Sequence, residues 1–165
     1  MTRVSGLQRL SCLDFGKDDN MADGFVRQLT VFIENRVGTL EEVAKVLKDN
    51  DINIYSISLA DTSEYGLLRM IVSDPDNGSK ILKDSGFSAR TTDVVAVRLE
   101  NKVGTLASLF GTLSEAGIGI EYMYAMATSV VGAMILKTSD GAKAVEVLKT
   151  AGFGLLDEAG MFDLK

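Results

Sequence analysis

The chain has 165 residues, 46% of them hydrophobic and 24% charged, with a single proline. That length suits one ordinary domain or two small ones, and the composition is that of a globular protein. Seventeen basic against twenty-three acidic residues give a formal charge of −6, which disfavours a phosphate backbone as main partner. There is no histidine and only one cysteine, Cys12. The commonest acid/base group and metal ligand is therefore missing, and neither an internal disulfide nor a thiolate metal site is available. No stretch approaches the ~20 apolar residues of a membrane helix, and Leu7–Leu13 is too short and polar for a secretion signal. The expectation is a cytoplasmic protein with no catalytic residues, no cofactor and no metal.

Residues 1–20 are polar and irregular (Gly-Lys-Asp-Asp-Asn before Met21) and are expected to form a floppy extension, with residues 1–27 outside any domain. Beyond them the chain repeats itself at an offset of 66. Val31–Leu40 (VFIENRVGTL) lies over Val97–Leu106 (VRLENKVGTL), and the register holds without a gap from Leu29 to Phe87. Two units follow, 28–93 and 94–165.

Gln28–Glu34 alternates β-branched and aromatic residues and is predicted to be a strand. Asn35–Gly38 is a turn. Thr39 is a natural N-cap, with Glu41 and Glu42 in the positive first turn. Leu40, Val43, Ala44 and Leu47 then keep helical spacing to about Asn50. Ile52–Asp61 and Tyr65–Val72 read as a hairpin turning at Thr62–Glu64. Asp74-Pro75 caps and opens a second helix, Gly86 closes it, and Phe87–Thr92 is a last strand. The second unit repeats the order: a strand near Val94–Glu100, a helix over 104–117, a hairpin over 118–138, a helix over 140–152 and a strand from Phe153. The fold class is α+β, two ferredoxin-like βαββαβ units with helices on one face of an antiparallel sheet.

The best-kept segment is the first strand-to-helix turn, Glu-Asn-basic-Val-Gly-Thr-Leu in both units. A helix N-terminus offers free N–H groups and partial positive charge, and glycine admits a close guest; together they suit a carboxylate. The Asn amide can hold a carboxylate or an ammonium, the two groups of an amino acid. The alternative is that Asn35 and Asn101 only shape the turn and Gly38 and Gly104 only set φ. Glu121, Tyr122 and Tyr124 are either a rim selecting a large side chain or plain strand residues. Met123, Met126 and Met134 read as core fillers. Asp74–Gly78 lacks the spaced ligands of a calcium loop, and Arg36 and Lys102 read as solvated cations.

These turns, with DINI at Asp51–Ile54 and GIGI at Gly117–Ile120, resemble the ACT domain, whose loop usually reads Asn-Arg-Pro-Gly; here Val37 and Val103 stand at the proline. The resemblance spans 28–162 and extends to stand-alone double-ACT proteins through Asp61, Thr62, Gly66 and Arg69. It implies two units side by side, joined through their second strands, with amino acids bound at the seam. One pocket would use Asn35, Val37, Gly38, Thr39 and Leu40, with Gly119 and Ile120 opposite. The other would use Asn101, Val103, Gly104, Thr105 and Leu106, with Asn53 and Ile54 opposite. Asn53 faces Gly119 in the repeat, so the pockets are expected to differ. The expected function is a non-catalytic regulator that binds a free amino acid and forms a homo-oligomer, with an amino-acid metabolic enzyme as partner. The alternative is a docking subunit of such an enzyme with no ligand of its own. An acylphosphatase-like enzyme lacks its Arg-bearing phosphate cradle, and an RNA-binding sheet lacks its aromatic motif.

Overall fold

A computed structural model of the chain describes residues 24–62, 65–127, 132–158 and 160. The expected extension up to residue 23 and most of the turn at Thr62–Glu64 lie outside the described residues. Unit 1 runs β1 (Phe25–Glu34), α1 (Thr39–Asp49), β2 (Ile54–Thr62), β3 (Tyr65–Val72), α2 (Pro75–Asp84) and β4 (Ser88–Leu99). Unit 2 continues with α3 (Thr105–Glu115), β5 (Ile120–Ala127), β6 (Gly132–Thr138), α4 (Gly141–Thr150) and a two-residue β7 (Leu155–Leu156).

The two strands expected at 87–92 and 94–100 are one strand of 12 residues, β4. No glycine or proline interrupts Thr91–Leu99, and its β-branched residues favour extended backbone. β4 pairs with β1 from Phe25–Val95 to Phe32–Ser88, and with β6 from Val95–Leu136 to Leu99–Gly132. It therefore closes unit 1 and opens unit 2. The strand expected from Phe153 shrinks to β7 because β1 already holds most of that edge of β4; β7 takes only Ala96 and Val97.

The sheet order is β2-β3-β1-β4-β6-β5, antiparallel throughout. The units are joined through β4, which pairs with β1 of unit 1 and β6 of unit 2; among the described residues no ladder links the second strands, where the resemblance implied one. β2 and β5 end the sheet, yet they approach each other, and the Ser56 hydroxyl donates to the Ala125 carbonyl at 3.4 Å. The sheet is therefore curled, with its helices outside.

Alternation along the strands divides three cores. Leu29, Val31, Leu68 and Met70 meet Val43 and Leu47 of α1 and Leu82 of α2. Val95, Val97 and Leu136 meet Leu109 and Leu113 of α3 and Leu148 of α4. The opposite, concave face holds Val26, Ile71, Val94, Ala96, Met126, Ala133, Ile135 and Leu156, with Tyr55 and Tyr124 against them. This third core is what the curl buries, at about 25 cal/mol per Å² of apolar surface. Among the described residues no helix is long and apolar enough to cross a membrane.

Among the described residues the buried Thr138 hydroxyl has no hydrogen-bond partner. It lines a cavity of about 240 Å³ with Phe25, Val95 and Gly141. Thr138→Val keeps the shape and removes a desolvated hydroxyl, so a gain of about 1 kcal/mol is expected in urea unfolding; a loss would mean that a water satisfies the group.

Candidate functional site

The two glycine turns have the same geometry. Gly38 (φ 95°) and Gly104 (φ 92°) are left-handed and cap α1 and α3. A Cβ at either would meet no atom within 4 Å, so the demand for glycine there comes from backbone conformation. Thr39 is not the N-cap expected from its type. It is buried as the first helical residue, and its hydroxyl donates to the Arg36 carbonyl at 3.1 Å. The turn needs its left-handed residue immediately before the helix, which places Thr39 one position too late.

The consequence is visible across the four described helices. α2 and α4 are capped by their own carboxylates: Asp74 accepts from the Asn77 amide and Asp140 from the Lys143 amide, both at 3.0 Å. No side chain caps α1 or α3. Around those two ends Asn35, Val37, Leu40, Asn101, Val103 and Leu106 are exposed, with Val37 at 102% and Val103 at 108% of full exposure. Thr105 is half-buried.

The ends differ in charge. α1 carries Glu41 and Glu42 in its first turn, whereas α3 has no acid there. Arg36 bridges back to Glu42 with bonds of 3.0 and 2.7 Å, and this contact holds the Glu42 carboxyl below its ordinary range. In unit 2, Lys102 pairs with Glu100 on the turn itself. Acid thus already sits at the positive end of α1, while the end of α3 is open to an anion.

The strand starts are also built alike. The backbone N–H of Asn53 donates to the Ser73 hydroxyl and that of Gly119 to the Ser139 hydroxyl, each at 3.0 Å. Asn53 and Gly119 are exposed, and Ile54 and Ile120 half-buried. Asn53 and Ile54 line a cavity of about 360 Å³ with Ala44, Lys48, Asp51 and Ile52 of their own unit. Neither turn contributes to this cavity or to the one at Thr138.

The concave face also holds a polar cluster that the repeat and the turn motifs do not signal. Gln28 is fully buried, at 0% exposure. Its Nε2 donates to the Thr30 hydroxyl and to the Tyr122 hydroxyl, both at 2.9 Å, and the Tyr124 hydroxyl donates to its Oε1 at 3.0 Å. The Arg69 guanidinium lies 3.9 Å from the centre of the Tyr122 ring. The available signal was a glutamine in an otherwise apolar strand, with two tyrosines at alternate positions of another. Tyr122 and Tyr124 are thus inward-facing members of a network, not a rim.

Burial pushes the Tyr124 hydroxyl above its usual pKa; Tyr122 adds to this and Arg69 opposes it. Unfolded tyrosine ionises near pH 10, so above that pH the unfolded chain loses a proton that the native state keeps. Stability is present in full below about pH 10 and falls as pH rises further. Urea unfolding at pH 9 and 11 should show this decline in wild type and a shallower one in Tyr124→Phe. Equal slopes would contradict the burial of this hydroxyl.

The family model for an ACT domain pair matches residues 24–164. The crystal structure of a protein from Bacteroides thetaiotaomicron superposes with a TM-score of 0.80 at 39% identity, covering 85% of this chain and 97% of that one. The ligand-free regulatory subunit of aspartate kinase from Thermus thermophilus gives 0.57 at 16% identity, covering 76% and 91%. The corresponding subunit from Thermus flavus gives 0.55 at 18%, covering 80% and 99%. The last two likenesses are of fold. No protein of curated function matches the chain.

Proposed function

The chain belongs to the ACT-domain-pair family, and from that premise we propose that it is a non-catalytic regulatory protein that binds a free amino acid at its glycine turns. One observation carries this reading. Helices α2 and α4 cap themselves with aspartate, whereas α1 and α3 begin uncapped at exposed glycine turns. A ligand carboxylate would fill the role that Asp74 and Asp140 fill elsewhere.

The stronger site is the Gly104 turn, with Asn101, Val103, Thr105 and Leu106, and Asn53 and Ile54 as the opposing strand start. Two features favour it over the Gly38 turn: the acid-free first turn of α3 and the side-chain amide of Asn53, for which Gly119 has no counterpart. A carboxylate at a helix N-terminus gains about 0.3–1 kcal/mol from the dipole alone. The weaker site comprises Asn35, Val37, Gly38, Thr39 and Leu40, with Gly119 and Ile120. By likeness to the aspartate kinase regulatory subunits, the chain would act on an enzyme of amino-acid metabolism, as a homo-oligomer. Occupancy would shift the arrangement of the units through differential affinity.

The test is a melting screen of the twenty amino acids against wild type and Asn53→Ala. One amino acid should stabilise wild type by about 2.7 kcal/mol at a hundred times its dissociation constant, and Asn53→Ala should need a higher concentration for the same shift. If no amino acid at 10 mM moves the transition, the sensor reading fails. The fully exposed Val37 and Val103 would then favour a docking subunit without a ligand of its own.

A further inference from the structure

The concave faces of the duplicated units differ in one row. In unit 1 the register sets Ser58, Arg69, Thr30 and Arg90 side by side across β2, β3, β1 and β4. The equivalent row of unit 2, 66 positions on, is Tyr124, Ile135, Ala96 and Leu156. All four belong to the third core or pack against it. Where one copy places isoleucine and leucine, the other places two arginines.

Charge balance leaves these arginines unexplained. No described carboxylate side chain pairs with Arg69 or Arg90. Each guanidinium instead lies over a ring: Arg69 on Tyr122 at 3.9 Å, Arg90 on Phe32 at 5.4 Å. Stacking orients a guanidinium and leaves its N–H edge free to donate. Arg69 is half-buried, and holding a partly desolvated cation without a counter-charge costs stability that an apolar residue would not. Between the arginines, the buried Thr30 hydroxyl accepts from Gln28, so its own proton is free to donate. Ser58 adds a second hydroxyl at the end of the row.

We infer that the concave face of unit 1 is a binding site for a small dianion. Arg69 and Arg90 stand two strand spacings apart, about 10 Å between Cα atoms, and lean onto different rings. They are set to hold two separate anionic groups of one molecule, as in a dicarboxylate or a phosphorylated carboxylate. Arginine's planar fork matches both groups in bidentate fashion. Thr30 donates between the arginines and Ser58 beside Arg69. This face is opposite to the one that carries the helices, so the site is separate from the glycine turns.

The probes are succinate and 2-phosphoglycolate at 10 mM, with ionic strength held constant by sodium chloride. At least one should raise the melting temperature above the chloride control and give a saturable calorimetric titration. Arg90→Met, on an exposed residue, should weaken that binding at least tenfold, and Arg69→Met should abolish it. Lys80→Met, which removes an exposed positive charge from α2, should leave it unchanged. No shift beyond chloride with either probe would overturn the proposal. So would an Arg90→Met protein that binds as wild type does, a result that stands even if Arg69→Met fails to fold.

Discussion

Gln28→Leu is expected to lower stability by about 2–4 kcal/mol, although leucine is the more hydrophobic residue. The substitution removes one side chain and strands three partners. Thr30 loses a donor, Tyr122 loses a donor, and Tyr124 loses its acceptor. Each buried polar group left unpaired costs about 1–3 kcal/mol, against which the gain in apolar burial is partial. Urea unfolding is the measurement. The triple variant Gln28→Leu, Tyr122→Phe, Tyr124→Phe should recover part of the loss, because it removes the stranded hydroxyls together with the amide. A Gln28→Leu protein within 0.5 kcal/mol of wild type would show that water already serves these groups. The network spans both units: Gln28 and Thr30 lie on β1, the tyrosines on β5. Its loss should therefore loosen the curl of the sheet as well as the stability of either half.

Gly104→Val and Gly38→Val should cost similar stability but affect ligand response differently. A Cβ at either position meets no atom within 4 Å, so the penalty comes from backbone conformation. A β-branched residue held near φ +92° to +95° costs about 1–3 kcal/mol. At α3 the change also distorts the turn proposed as the stronger amino-acid site. Gly104→Val should thus lose the thermal response to the amino acid that stabilises wild type, and Gly38→Val should keep most of it. Circular-dichroism melts with and without that amino acid separate the two effects. An unimpaired response in Gly104→Val would remove the turn of unit 2 from the site.

Much of this molecule was legible in local sequence. The Asp74-Pro75 helix start appears as read, with the carboxylate accepting from Asn77. Gly86 lies in the left-handed region where the helix closes. Helices α1 and α3 start at the repeated turn, as the apolar spacing from Leu40 and Leu106 indicated. Thr39 shows the limit of local reading: its type favours a cap, but the left-handed glycine beside it had already taken that position. The charge contrast between the two turns was also present in the sequence, in Glu41 and Glu42 against Ala107 and Ser108. Its meaning depended on knowing that neither helix has a side-chain cap.

Period and spacing act between neighbours in the chain, so the amino acids alone determined the repeat, the helices, the glycine turns and the division of each strand into two faces. Which strands meet is a property of distant residues. Only tertiary structure decided that β4 serves both units and so joins them, and that the curled sheet turns the face without helices inward. That inward turn carries Gln28 into a buried network, and the pairing register sets Arg69 and Arg90 in one row. A strand's alternation specifies two faces, but the packing of the whole sheet chooses which of them water still reaches.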